Sequence, residues 1–110
     1  VLDGNPSTAW KANKGEYLTF ALENNASPNN IAIAWKEKSK DAKFEIQLSG
    51  GGGQFLTVYE GTVEATNELT NYRFKGTTAS DIRIVITSGN ASISELRNGV
   101  LCIHFLILNS

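Results

Sequence analysis

Alternation of apolar and polar side chains over short stretches dominates this sequence. In Phe44–Leu48 and Ile82–Ile86 every second residue is apolar, which is the period of a strand with one face toward a core. Residues that favour turns bound each run, and no segment shows a helical period, so the chain is predicted to be all-β. The predicted strands are Glu16–Leu22, Ile31–Trp35, Phe44–Ser49, Phe55–Glu60, Glu68–Phe74, Asp81–Thr87, Ile93–Arg97 and Val100–Leu108.

The length and composition fit one small folded domain spanning residues 1–110. The chain has 110 residues, of which 41% are hydrophobic and 19% charged, so it can bury a core and is not disordered. The formal net charge of -1 gives no global attraction to nucleic acid or to an anionic membrane. No stretch approaches the roughly 18 apolar residues of a spanning helix. Neither nucleic-acid binding nor a membrane span is therefore expected.

Two glycine-containing segments are predicted to connect antiparallel strands. Ser49–Gly53 lies between two alternating runs, and its glycines can adopt positive φ angles without steric strain. A phosphate-binding loop is not indicated, because the Lys-Ser/Thr that would follow its glycines is absent. Asn98-Gly99 is a type I′ hairpin signal, so the last two strands are predicted to pair directly. Short strands at this spacing indicate an antiparallel β-sandwich. Trp10 and Trp35 are expected in its core.

The segments Asp3–Trp10 and Gly15–Phe20 resemble the discoidin domain, also called the coagulation factor V/VIII type C domain. Successive later strands fit the same pattern, and the chain is most similar to carbohydrate-binding modules of family 32 that are appended to alginate lyases. The resemblance implies a jelly-roll sandwich of the galactose-binding-domain type. The later matching segments are Ile31–Trp35, Phe44–Ser49, Thr57–Tyr59, Ile82–Val85 and Ile93–Leu96.

The chain departs from that family at both ends. The family has a further segment with the first strand before the Asp-Gly motif, so a missing first strand is expected here. Residues 97–110 form an apolar C-terminal extension that the family lacks. A bare sheet edge invites pairing with another segment. We therefore expect Val100–Leu108 to fill the vacant position, within its own chain or by exchange in a homo-oligomer.

The resemblance implies a structural Ca²⁺ site that ties the two ends of the chain together. Its ligands would be the Asp3 and Glu95 carboxylates, main-chain oxygens of Asn5 and Ser94, and the main chain and hydroxyl of Thr8. Calcium prefers oxygen ligands of these kinds. From spacing alone, the simpler interpretation is a tight turn held by side-chain hydrogen bonds.

A lysine-rich segment follows the strand that ends at Trp35. Lys36, Lys38 and Lys40 stand within a few residues of one another, and in family 32 this loop borders the sugar site. The resemblance makes them candidates for binding the carboxylate of an acidic sugar, since an ammonium group acts as a point charge. Composition alone favours a solvated hairpin loop.

Two asparagines are candidates for contacts with sugar hydroxyls. Asn13 and Asn90 both lie in short polar loops, and an amide offers donors as well as an acceptor. Each is equally suited to forming a turn. The loop that contains Asn90 has no aromatic ring to stack on a sugar, although alginate-lyase modules often carry a Trp there.

These features predict a non-catalytic module that binds an oligo- or polysaccharide, of the acidic type found in alginate. Nothing in the sequence points to a catalytic constellation. As a piece of a secreted bacterial polysaccharide-degrading enzyme, the module would hold that enzyme on its substrate. The alternative is a discoidin-type adhesion domain for a protein or phospholipid surface, which requires apolar loop tips, and these loops are polar.

Overall fold

The computed structural model describes residues 10–50, 53–97 and 103–104, and over these residues the chain forms β-strands and no helix. No segment among them is a helix long and apolar enough to cross a membrane. The strands are β1 Trp10–Asn13, β2 Tyr17–Ala26, β3 Asn30–Lys38, β4 Lys43–Ser49, β5 Leu56–Thr62, β6 Thr70–Arg73, β7 Ala79–Ser88, β8 Asn90–Arg97 and β9 Ile103–His104.

The strands build two antiparallel sheets. One sheet has the order β1-β8-β3-β6, and the other has the order β5-β4-β7-β2-β9. Every described pairing between neighbouring strands is antiparallel. The predicted all-β, jelly-roll sandwich is therefore confirmed.

The alternating residues of the central strands form the core between the sheets. In β7, Ile82, Ile84 and Ile86 are fully buried, and each lies opposite an apolar residue of β4. Burying an aliphatic side chain of this size stabilises a fold by about 1.5–3 kcal/mol. Trp10 and Trp35 are 4% and 0% exposed, so their predicted place in the core is confirmed.

An aromatic cluster joins the two sheets at one side of the core. Trp35 of β3 and Tyr72 of β6 meet Phe44 of β4 and Tyr59 of β5, with ring centroids 5.0–5.8 Å apart. Stacked, tilted and edge-on ring contacts add about 0.5–1.5 kcal/mol per pair beyond the buried area. The indole Nε1 of Trp35 donates a hydrogen bond of 3.1 Å to the hydroxyl of Tyr72.

Strand β1 was not predicted from the sequence. Trp10 and Ala12 are buried and Lys11 and Asn13 exposed, so β1 does alternate, but over only four residues. It pairs along its whole length with β8, from Trp10 opposite Ile93 to Asn13 opposite Asn90. This distant partner stabilises a segment whose local composition gives too little signal.

The predicted hairpin between the last two strands is wrong. The turn residues Asn98-Gly99 lie outside the described residues, and β8 pairs with β1 and β3 and not with the strand that follows it. Instead β9 pairs with β2 in the other sheet, with Leu22 opposite Ile103. Of the predicted strand Val100–Leu108, only residues 103–104 are described. The predicted hairpin through Ser49–Gly53 is confirmed, since Leu48 of β4 lies opposite Leu56 of β5.

The lysine-rich loop is shorter than predicted. Because β3 continues past Trp35 to Lys38 and β4 begins at Lys43, only residues 39–42 connect the two strands. Lys36 and Lys38 are therefore strand residues. The division into one domain with an extension from residue 97 stays a prediction, and so does the missing first strand.

Candidate functional site

Three adjacent strands of the four-stranded sheet form a polar groove at one end of the sandwich. The end of β1 and the end of β3 flank the beginning of β8, so that Asn13 lies opposite Asn90, and Lys38 lies opposite Ala91. The groove has a volume of about 400 Å³. Its lining comprises Lys11, Ala12, Asn13, Glu37, Lys38, Asn90, Ala91 and Ser92.

The turn between β7 and β8 positions Asn90 at the groove. Gly89 alone separates the two strands, and its φ of 68° lies in the left-handed region that favours glycine. The backbone N–H of Asn90 donates to the Ser39 hydroxyl over 2.9 Å, and the Ser39 N–H donates to the Asn90 carbonyl over 2.8 Å. These two hydrogen bonds join the start of β8 to the 39–42 loop.

A second turn fixes Asn13 on the other side of the groove. The backbone N–H of Asn13 donates to a Glu16 carboxylate oxygen over 2.6 Å, and the Glu16 N–H donates to the Asn13 carbonyl over 2.9 Å. Among the described residues, the side-chain amides of Asn13 and Asn90 have no hydrogen-bond partner. Both exposed amides are therefore free to bond a ligand.

The structure brings together three of the five predicted sugar-binding residues. Asn13, Lys38 and Asn90 line the groove. Lys36 and Lys40 are exposed and do not belong to its lining. Lys40 lies in the 39–42 loop, and Lys36 occupies a position of β3 away from the groove. Their predicted contact with a ligand stays untested.

Three lining residues were not predicted from the sequence: Lys11, Glu37 and Ser92. Lys11 and Ser92 face each other across the β1–β8 ladder, and Glu37 lies opposite Ser92 on the β3 side. Because β1 was not predicted, nothing placed Lys11 beside the distant β8. Glu37 lies between two of the candidate lysines, and no sequence signal singled it out.

The groove combines charged and amide groups without an aromatic ring among its lining residues. Two ammonium groups, from Lys11 and Lys38, face one carboxylate, from Glu37, which leaves a local excess of one positive charge. Such a surface attracts an anion and offers several hydrogen bonds to hydroxyls. It does not suit an apolar ligand.

The predicted calcium ligands lie mostly outside the described residues. Asp3, Asn5 and Thr8 belong to residues 1–9, and the side chain of Glu95 is likewise not described. The Ser94 hydroxyl lies 3.2 Å from the Ala34 carbonyl and 3.1 Å from the Asn67 amide oxygen, so protein groups already engage it. This leaves its main-chain oxygen as the expected ligand atom. The described residues hold no group of three or more His, Cys, Asp and Glu side chains suited to a metal.

The fold is that of a discoidin-type domain, and the chain belongs to the F5/8 type C domain family, which it matches over residues 1–97. Among curated protein sequences, none matches it significantly. A similar solved structure is the family 32 carbohydrate-binding module of AlyQ in complex with 4,5-unsaturated mannuronic acid. It is 35% identical, with a TM-score of 0.74, over 86% of this chain and 79% of that chain.

Two further structures support the same assignment. Truncated AlyQ with its family 32 module and alginate lyase domains is 34% identical, with a TM-score of 0.73, over 87% of this chain and 27% of that chain. The family 32 module of C. perfringens NanJ in complex with galactose is 28% identical, with a TM-score of 0.68, over 86% of this chain and 77% of that one. The predicted resemblance to such modules is confirmed. Because these relatives are binding modules, the prediction of a non-catalytic module is confirmed with it.

Proposed function

We propose that the chain binds an acidic carbohydrate of the uronate type in the groove between β1, β8 and β3. The observation that carries the proposal is the convergence of two unpartnered amides, Asn13 and Asn90, with the ammonium groups of Lys11 and Lys38. Vicinal hydroxyls of a sugar match the donors and acceptor of an amide. A uronate carboxylate matches the excess positive charge.

The two lysines act as point charges on the carboxylate. Both are strand residues, so their backbones are fixed, while their ammonium groups remain hydrated and adjustable. Glu37 accepts hydrogen bonds from ring hydroxyls and repels a carboxylate placed beside it. The charges therefore favour one orientation of the sugar. The unsaturated mannuronic acid bound by the AlyQ module is a ligand of this chemical class.

The biological role that follows is targeting. A module without catalysis raises the local concentration of substrate around an enzyme to which it is joined. AlyQ contains such a module together with alginate lyase domains. We propose that this chain works in the same way, outside a bacterial cell, as part of an enzyme that degrades an acidic polysaccharide.

Calorimetric titration with saturated and unsaturated oligouronates, galactose and fucose tests the proposal. We expect heat with the uronates, and a Lys38→Ala variant should bind them about five- to tenfold more weakly, an effect that salt reduces. Lys40→Ala is the matched control, because Lys40 carries the same charge outside the groove. Equal losses in both variants would show that only the net charge matters, and silence with all uronates would refute the proposal.

We also propose that Ca²⁺ binds where the beginning of β1 meets β8. Trp10, the first described residue, pairs with Ile93, one residue before Ser94 and two before Glu95. The first described residue of the chain therefore lies close to two of the predicted Ca²⁺ ligands, Ser94 and Glu95. A metal that binds only the folded chain stabilises it by RT ln(1 + [L]/Kd), about 2.7 kcal/mol at a hundredfold excess over Kd. Calcium should raise the melting temperature of the native chain and leave that of Asp3→Asn unchanged.

The alternative of an adhesion domain is not favoured by the surface. Among the described residues, the large exposed apolar side chains are Leu56, 67% exposed, and Leu69, 39% exposed. Leu56 lies in β5 and Leu69 in the connection to β6, and neither lines the groove. A membrane- or protein-binding loop tip needs a contiguous apolar patch. Liposome co-sedimentation without sugar binding would reverse this preference.

A further inference from the structure

The hydroxyl of Ser92 is a buried polar group without a partner. Ser92 is 3% exposed, and its Oγ has no hydrogen-bond partner among the described residues. A buried hydroxyl in this state destabilises a fold, so native structures satisfy nearly all such groups. Ser94, two residues along the same strand, is also buried, and its hydroxyl lies within hydrogen-bond distance of Ala34 and Asn67.

Its position on β8 directs Ser92 into the groove. Ala91 and Ile93 belong to the hydrophobic core, and side chains alternate along a strand, so Ser92 lies on the opposite face. Ser92 is also one of the residues that line the groove. The unpartnered hydroxyl therefore lies at the floor of the site and not in the core.

The cross-strand neighbours of Ser92 are both charged. Lys11 lies opposite it on β1, and Glu37 lies opposite it on β3. With neighbouring strands about 4.8 Å apart, this row of three residues spans about 10 Å, enough for a sugar ring to lie across it. Both neighbours are exposed at the surface of the sheet, whereas the serine lies beneath them. Because the Ser92 hydroxyl is itself buried, a ligand reaches it by displacing the side chains around it.

We propose that Ser92 is a specificity-determining residue that exchanges a hydrogen bond with a ring hydroxyl of the bound sugar. This proposal rests on the proposed carbohydrate-binding function and adds to it a contact in the middle of the sheet. The serine hydroxyl both donates and accepts, which suits a sugar hydroxyl, while the lysines serve the carboxylate. Binding supplies the partner that the free protein lacks.

Alanine substitution separates this role from a structural one. Ser92→Ala removes only an unpartnered hydroxyl, so the midpoint of denaturant unfolding should stay unchanged or rise. Affinity for an unsaturated dimannuronate should fall about three- to tenfold, the usual effect of one lost hydrogen bond. Ser80→Ala is the matched control, because the Ser80 hydroxyl lies 3.3 Å from the Ser49 carbonyl and 2.9 Å from an Asp81 carboxylate oxygen. This variant should lower the unfolding midpoint and leave affinity unchanged, since Ser80 does not line the groove.

The outcomes distinguish the two proposals. If the native chain binds the dimannuronate and Ser92→Ala binds it equally well, the role of Ser92 is refuted while carbohydrate binding stands; a trapped water that permanently satisfies the hydroxyl would give this result. A lower unfolding midpoint for Ser92→Ala with unchanged affinity would make it a structural residue. If the native chain binds no sugar of the panel, both proposals fail together.

Discussion

At the scale of single residues, Tyr72 of the aromatic cluster makes the folding stability depend on pH. It is 6% exposed, and burial raises the pKa of its phenol above the ordinary value of 10.0, while the hydrogen bond from Trp35 opposes that rise. The folded chain therefore holds the phenol proton more tightly than the unfolded chain does. Stability from this group is fully present below pH 10 and is lost as the pH rises through the folded-state pKa.

Substitution of Tyr72 by Phe tests this linkage. Near pH 8, Tyr72→Phe should cost about 1–2 kcal/mol, because the buried Nε1 of Trp35 loses its acceptor. Between pH 8 and pH 11 the variant should lose less stability than the native chain, since the group that titrates is gone. Urea unfolding at a series of pH values measures both effects. Tyr59→Phe, in the same cluster, keeps Tyr72 and should show the native alkaline loss; identical profiles for all three chains would contradict the linkage.

At the scale of elements, the one-residue turn between β7 and β8 connects the fold to the groove. A Cβ on Gly89 would collide with the Ser39 hydroxyl and lie 3.2 Å from the Ala42 Cα. Its positive φ is also unfavourable for a side chain. Glycine is thus required at this position for two reasons: the backbone conformation and the close approach of the 39–42 loop.

Gly89→Ala should therefore destabilise the chain more than a Gly→Ala substitution at a position where only the φ angle is unfavourable. Gly53 is the matched control, because its φ is 81° and nothing lies within 4 Å of a Cβ built there. We expect about 1 kcal/mol for Gly53→Ala and about 2–3 kcal/mol for Gly89→Ala, by chemical denaturation. Sugar affinity should fall only in Gly89→Ala, since Asn90 would move with the turn. Equal costs for the two variants would show that the close approach of the 39–42 loop does not contribute to the requirement for glycine.

Strands with local signals could be predicted, and those that depend on distant partners could not. The isoleucines of β7 alternate over several residues, so its inward face is readable from the sequence alone. By contrast, β1 depends on β8, which lies at the other end of the described chain. The false hairpin at Asn98-Gly99 failed for a related reason. A turn signal is local, whereas the partner of a strand is set by the whole sheet, and here β9 pairs with β2.

The same distinction applies to the groove. Lys38 was a candidate through the family resemblance, whereas Asn13 and Asn90 were candidates through their amide chemistry and their short polar segments. Lys11 and Ser92 became neighbours only through the β1–β8 register. Ser92 in particular is a common residue in a short polar segment, and its significance comes from burial without a partner. No sequence pattern reports that property.

At the scale of the whole molecule, the C-terminal segment connects the two sheets. β8 ends at Arg97 in one sheet, and β9 begins at Ile103 in the other. The five intervening residues, 98–102, reach up to about 20 Å, whereas packed sheets lie about 10 Å apart. The chain is thus long enough to pair with its own β2. Exchange with a second copy is not needed to cover that edge.

We therefore expect the full chain to be a monomer of 11.9 kDa by light scattering at micromolar concentration. Deletion of residues 98–110 should expose the edge of β2, lower stability by about 1–2 kcal/mol and promote concentration-dependent association, because unpaired backbone groups invite a second strand. A full-length dimer that becomes monomeric on deletion would instead support strand exchange between two copies. A truncated chain that is monomeric and fully stable would refute both arrangements, because β2 would then need no partner at that edge.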